Sequence, residues 1–344
     1  MSYFRIVVAA LTICAASNAL ACGNASGNAR LYTYCLLNQA SGKALTARDV
    51  VFLSTQLESV GQDRLINVTK GKSEQNLVAY PLVQFSDNIN GGNPDKPLVL
   101  GGLTFSGDPE LYRKQGLVAG LGTGLSGRYR YTDSSYLTYR GNASYVYSPQ
   151  HEIGIGATSA ELCSVNHIGD WWYVDACANN SGTNRELDNA ESTNGSVMLS
   201  KLFEGDSSYN QVSVTYNRHF ASSYDQNQYR LGWDRVHQNG VYTSLTATYG
   251  QPVTDELTTR YSLNATIKAN VEGKPLSVSF GYSDARGGKL LGIDRDDKSY
   301  SVNFSYPIND KISLTAGFSQ TNSSIDYFDN LTPNIGLQMA AYEF

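Results

Sequence analysis

His167 and Asp170 stand three residues apart, with Asp175 close behind them. A histidine backed by a carboxylate can draw a proton from water, which makes this the first place to look for catalysis. The set is incomplete. Asp175 is the one other acid between Cys163 and Cys177, and no serine nucleophile motif accompanies it. A solvated loop histidine accounts for the same residues, and the chain is not expected to be an enzyme.

Gly122-x-Gly124-x-x-Gly127 matches the dinucleotide-binding fingerprint letter for letter. A pyrophosphate would need a helix N-terminus immediately afterwards, whereas Arg128-Tyr129-Arg130-Tyr131 has the make-up of a strand. The glycines read instead as a stretch of wall that can bend or receive another group against it. No cofactor is expected.

Four cysteines remain once Cys14 is set aside with the N-terminal segment: Cys22 and Cys35, then Cys163 and Cys177. Two local pairs at similar spacing in an exported chain read as two disulfides. Zinc is the competing chemistry, but His167 alone stands near either pair, so no metal site is expected. Trp171-Trp172-Tyr173 falls between the second pair and reads as an aromatic belt or as loop packing, a partner-contact surface being the sharper alternative.

Export is written at the N-terminus. Arg5 precedes the apolar run Ile6 to Ile13, and Ala19-Leu20-Ala21 supplies a small-x-small cleavage pattern, so residues 1–21 read as a signal peptide. Cleavage after Ala21 would leave Cys22 first, the position that lipoproteins modify. Lipoprotein signals normally carry Leu three residues earlier, where this chain has Ala19.

The composition says where the exported chain goes. It has 24 Tyr, 32 Gly and only 17% charged residues, against about 25% in soluble domains. Few charges and many tyrosines suit a lipid-facing wall with aromatic girdles. A net charge of -5 argues against a nucleic-acid partner.

Two regions must then position these residues. In residues 22–75, Thr46 can cap a helix carrying Val50, Val51, Leu53, Leu57 and Val60, and Leu31 to Leu37 can form a second. This is a short helical periplasmic prefix. Residues 76–344 alternate with period two, as in Tyr300-Val302-Phe304-Tyr306 against Ser301, Asn303 and Ser305. The polar face is Ser, Thr, Asn and Gly, as a lumen would be. The chain closes on Tyr342-Glu343-Phe344, the aromatic ending that barrel assembly machinery reads on a closing strand, so Tyr342 and Phe344 are candidate assembly-signal residues.

The fold class expected is therefore an all-β transmembrane protein: an antiparallel outer-membrane β-barrel of about fourteen strands. Its short periplasmic turns are expected at Ser148-Pro149, Glu204-Gly205-Asp206, Gln238-Asn239-Gly240, Glu272-Gly273-Lys274 and Ile308-Asn309-Asp310. External links are expected at 158–194, 251–256, 286–297 and 320–332, with short ones near Asp133 and Tyr224. The first hairpin of the wall is expected to be Leu77–Phe85 with Leu98–Phe105.

Following the pleat, Arg128, Arg130, Arg140, Arg230, Arg260 and Lys268 point into the lumen, opposed chiefly by Glu152 and Asp234. A basic-leaning interior in an acidic protein would favour anions.

The run Leu77-Val78-Ala79-Tyr80-Pro81-Leu82-Val83-Gln84-Phe85-Ser86-Asp87-Asn88-Ile89-Asn90 resembles the first barrel strand of surface lipoprotein assembly modifiers. The tyrosine-rich Arg128-Tyr129-Arg130-Tyr131 and the terminal Phe344 are similar to that family as well. The resemblance implies a fourteen-stranded barrel that helps to move proteins across the outer membrane, the type XI secretion route. Members carry an array of helical repeats ahead of the barrel, and this chain has room for one helical pair. The first expectation is thus an outer-membrane barrel that delivers a secreted or surface protein, or a polymer. A passive porin-like channel with an anion-leaning lumen, and a structural or adhesive barrel, are the alternatives. Its surroundings would be outer-membrane lipid and the barrel assembly machinery.

Overall fold

A computed structural model describes residues 22–41, 46–62, 73–100, 102–132, 134–309, 312–339 and 342–343. The expected signal peptide, Asp133 and Phe344 lie outside the described residues.

Two helices come first, α1 (Ala29–Ala40) and α2 (Ala47–Ser59). Asn28 caps α1 by accepting a hydrogen bond from the Leu31 amide, and Thr46 forms a capping box with Asp49 at the start of α2. Those bonds from Thr46 hold the Asp49 carboxyl below the usual carboxylate range.

The wall follows as β1 (Ser73–Ser86), β2 (Gly116–Arg130), β3 (Ser135–Ser148), β4 (Ile153–Gly169) and β5 (Trp172–Asn184). It continues with β6 (Asn189–Gly205), β7 (Ser208–Ala221), β8 (Asp225–His237), β9 (Tyr242–Gly250) and β10 (Thr258–Val271). Last come β11 (Lys274–Leu290), β12 (Ile293–Asn309), β13 (Ile312–Ser323) and β14 (Asn330–Met339), the last continued by Tyr342–Glu343. Each strand pairs antiparallel with the next, and β14 returns to β1 through Leu82↔Gln338 and Val78↔Glu343. The closed sheet leaves no edge, which a wall in hydrocarbon requires.

Side chains alternate across this wall except at register shifts in β4, β10, β11 and β12. Outward residues are apolar and open to the surroundings: Leu231, Leu263, Phe304 and Ile335 are all exposed. Water would penalise that surface and lipid does not. Outward tyrosines 216, 229, 249 and 261 stand on adjacent strands with ring centroids 5.7, 6.5 and 5.6 Å apart, and Tyr282 with Tyr300 extends the row at 5.3 Å. An apolar band rimmed by tyrosines is the wall of an outer-membrane β-barrel. Among the described residues no helix is long and apolar enough to cross a membrane.

Both chain ends of the barrel lie at one rim. The described links at that rim run two to four residues, whereas the other rim carries the long link 87–115 and the link 251–257. Short turns mark the periplasmic rim and long links the external one.

Fourteen strands form the wall, but two of the expected boundaries were wrong and offset one another. Leu98–Phe105 is not part of it. Leu98–Leu100 and Leu103–Phe105 pair only with each other, as a small ribbon inside the link 87–115. Pro97 and Gly102 break the run, which leaves each piece too short to cross a bilayer. Conversely, 158–194 is not one external link. It contains the lower part of β4, a tight turn at Asp170-Trp171, all of β5 and the start of β6.

That hairpin escaped the apolar–polar pattern because, apart from Leu162 and Val174, many of its outward positions are small or polar: Ala160, Ala176, Ala178, Asn180 and Gly182. One strand lost and one gained inverts β2, β3 and β4. Ser148-Pro149 therefore lies at the external rim, and the β2–β3 link, which includes position 133, connects strands at the periplasmic rim.

Candidate functional site

The helical prefix enters the periplasmic mouth of the barrel. On α1, Leu31 and Cys35 are completely buried and pack with Cys22 and Ala25 against the inward-facing Tyr173, Leu202, Tyr209, Val236 and Tyr242. Polar contacts lock this core to the wall. Asn24 Nδ2 donates to the Gly240 carbonyl at 2.7 Å, and Gln62 Nε2 donates to the Tyr173 hydroxyl at 3.0 Å. The Cys22–Cys35 disulfide ties the short turn Gly23–Ala25 to α1. It also occupies the Cys22 sulfur, which excludes thioether lipidation of that residue while the bond is intact.

The centre of the lock is Arg30. Its guanidinium donates to both oxygens of Asp175, at 2.8 and 2.6 Å, and to Ser200 Oγ at 3.3 Å. The guanidinium also lies 3.9 Å from the Tyr173 ring centroid. Burial alone would lower the Arg30 pKa, but the hydrogen bonds and charge of Asp175 outweigh it and the net shift is upward. Arg30 keeps its charge, and a bidentate geometry is what makes such a buried pair tenable.

The second insert comes from the external rim. Link 87–115 begins with the Asp87-Asn88-Ile89-Asn90 stretch and folds back into the bore. There Ile89 is completely buried among Val118, Val146 and Ile153, with Leu82 and Ile155 beside them. Asn90 fixes it: its side chain donates to the Tyr112 carbonyl at 2.8 Å and accepts from the Lys114 amide at 2.9 Å. Its carbonyl also accepts from the Leu187 amide at 2.8 Å.

The inner faces of β8 to β13 border a cleft of about 660 Å³. Its lining is hydroxyl and amide, including Gln228, Thr248, Asn264 and Ser301, with Arg230 among them.

The expected site residues sort as follows. Arg128 and Arg130 lie on the inward face of β2, and Arg130 is ion-paired with Glu58 of α2 at 3.1 Å. Arg140 is exposed on the inner face of β3, directly across from Glu161. Lys268 sits low on β10, its Nζ 5.4 Å from the centroid of Tyr242. Arg260 falls at the register shift between Thr259 and Tyr261, where pleat alternation no longer assigns a face. The two acids expected to oppose this set do not. Glu152 is in the external β3–β4 turn, and Asp234 accepts from the Tyr242 hydroxyl at 2.7 Å and from Asn28 at 3.3 Å.

Cys163 and Cys177 are joined across the register pair of β4 and β5, in the wall rather than in an external loop. His167, Asp170 and Asp175 do not converge. His167 lies against the Tyr173 ring, Asp170 pairs with Lys201 at 2.6 Å, and Asp175 holds Arg30. Trp171, Trp172 and Tyr173 face three ways. Trp171 packs edge-on against Tyr34 of α1 at 4.8 Å, Trp172 carries Lys201 over its outer ring, and Tyr173 points inward.

The glycine fingerprint has a structural use. A Cβ on Gly122 would come within 2.4 Å of the Tyr80 ring, so the glycine trough on β2 receives the inward tyrosine of β1. Tyr342 pairs through its backbone with Ala79.

The residues missed in the sequence are Arg30, Glu58 and Asn90. Arg30 left one signal: it is the sole cation in a helix otherwise made of apolar and small polar residues.

No family model matches the chain, and no curated protein does either. Solved structures similar in architecture include Acinetobacter baumannii OccAB2, at 10% identity and a TM-score of 0.43, covering 80% of this chain and 100% of that one. Pseudomonas putida OprB is similar at 6% identity and a TM-score of 0.45, covering 79% and 94%. A BenF-like porin from Pseudomonas fluorescens follows at 7% and 0.40, covering 80% and 99%. Likeness at this level reaches neither solute nor mechanism. It also gives no support to the resemblance to assembly modifiers.

Proposed function

We propose that the protein is an outer-membrane diffusion channel for small polar solutes, narrowed at each rim by its own chain. One observation carries this: the inner faces of β8 to β13 bear short hydroxyl and amide side chains around an open cleft. A fourteen-strand bore is too wide for such side chains to fill, so it holds water unless something else enters. The helical segment and link 87–115 enter from opposite rims and reduce the bore, as a size-selective pore needs. Lipid around the apolar band and assembly machinery acting on the closing strand are the partners this reading requires.

The full chain, purified and inserted in a planar bilayer, is expected to give discrete ionic conductance steps. Liposomes containing it should swell in small polar solutes. Silence in both assays overturns the channel reading. Delivery of a protein or polymer is the second reading, favoured by the non-covalent seating of α1 and α2, because a segment held only by contacts can leave the mouth. It predicts a silent resting barrel that conducts once Arg30 no longer binds Asp175.

A further inference from the structure

Resting on that channel reading, we infer that Arg230 is the selectivity residue of the pore and that its ligand class is the small polyhydroxylated monoanion. The inference comes from the register of the wall. Arg230, Thr248, Ser262, Ser283, Ser299 and Thr321 are successive cross-strand partners from β8 to β13, which makes one belt around the cleft. On the other side of Arg230 the belt continues to Thr215. Arg230 is the one ionisable group in it. A Ser299–Thr321 hydroxyl contact of 2.9 Å shows the spacing within the belt: neighbouring hydroxyls are close enough to bind adjacent hydroxyls of one solute.

Its neutral cross-strand neighbours, Thr215 and Thr248, set Arg230 apart from Arg130, Arg140 and Lys268. Arg130 is paired with Glu58, Arg140 faces Glu161, and Lys268 rests over Tyr242. Arg230 is exposed, and among the described residues no carboxylate comes within ion-pair distance of it. Asp234, the nearest acid along its strand face, is already held by Tyr242 and Asn28. Gln228, two residues away on the same face, is turned to Gln226 at 2.8 Å and Asn217 at 3.3 Å. One guanidinium thus projects into a neutral, hydroxyl-lined cleft, where its field is not cancelled by a neighbour. A guanidinium offers forked donors to a carboxylate, and the belt offers donors and acceptors to hydroxyls. A solute bearing both groups matches the two together. Chloride would match only the first, and a neutral polyol only the second.

The test is swelling of liposomes containing the full chain in gluconate and in glucitol, which have similar size and differ in charge. Gluconate is expected to enter at least about twofold faster, as one uncompensated charge in a narrow pore would produce. Arg230→Gln should bring the two rates together, and Arg140→Gln should leave the preference in place. Equal rates in the unsubstituted protein, or equal losses in the two variants, would overturn the inference and leave the channel reading intact. Entry of neither solute would overturn both. The hydroxyl half is tested by Ser283→Val with Ser299→Val. This pair should slow gluconate while leaving acetate entry unchanged, and equal slowing of both would reduce the belt to a spacer.

Discussion

The Arg30 guanidinium on α1 meets the Asp175 carboxylate on β5 at 2.6 Å, across 145 positions of sequence. No other buried ion pair among those described joins the prefix to the wall through two bonds to one carboxylate. Removing one partner of such a pair strands a charge in a dry site and costs about 3–5 kcal/mol. Asp175→Asn is therefore expected to unseat α1. Larger conductance steps and rapid proteolysis between residues 22 and 62 would register this, with the barrel itself still folded. The exchange of Arg30→Asp with Asp175→Arg should recover part of the seating. Unchanged conductance and proteolysis in Asp175→Asn would show that apolar packing alone holds the segment.

The two disulfides close loops of nearly equal length, with sequence separations of 13 and 14. Loop-closure entropy alone would assign each about 3 kcal/mol. Their surroundings differ. Cys163 and Cys177 join strands already paired residue by residue from Gly156↔Asn184 to His167↔Tyr173. Cys22 and Cys35 join a three-residue turn to a helix, with no strand ladder between them, only local packing and the Asn28 cap. Cys163→Ala with Cys177→Ala should leave the heat-modifiable gel band of the folded barrel unchanged. Cys22→Ala with Cys35→Ala should speed proteolysis of the prefix. The opposite ranking would mean that β4 and β5 depend on their covalent link.

How much of this was legible depends on the kind of signal. Strands such as β12 declare themselves, because Tyr300, Val302, Phe304 and Tyr306 alternate with Ser and Asn and one face meets lipid. β5 does not. Its outward Ala176, Ala178, Asn180 and Gly182 are too small and too polar to contrast with an inner face of Asp175, Cys177 and Asn179. Lumen arginines could be placed by pleat, except Arg260, where a bulge breaks the alternation. What no period could reveal was which of them keep a free charge. That depends on Glu58 and Tyr242, brought in from elsewhere in the chain by tertiary packing.

The revised strand order has a direct consequence for topology. Pro149 lies in the turn between β3 and β4 at the external rim, and Gly273 between β10 and β11 at the periplasmic rim. The cysteines of the described chain are all in disulfides, so an introduced cysteine provides a clean handle. An impermeant maleimide added to intact cells should label Pro149→Cys and spare Gly273→Cys. Labelling of Gly273→Cys alone would reverse the barrel and return Ser148-Pro149 to the periplasm.

Gly122 and Tyr80 supply a test of the wall itself. They are direct cross-strand partners on β2 and β1, both facing inward, and a Cβ at position 122 would lie 2.4 and 2.5 Å from two atoms of the Tyr80 ring. Side chains cannot share that space, and overpacking of this kind costs about 1–3 kcal/mol when neighbours must shift. The cost would fall where β1 also has to close the barrel against β14. Gly122→Val is therefore expected to lower the yield of folded, heat-modifiable barrel. Gly195→Val is the control, because a Cβ at that outward glycine on β6 meets nothing within 4 Å, and it should fold like the parent. Tyr80→Ala with Gly122→Val removes the collision and should restore most of the folded yield. If the single Gly122→Val and the double substitution fold equally poorly, the glycine serves backbone freedom on β2 and not the seating of Tyr80.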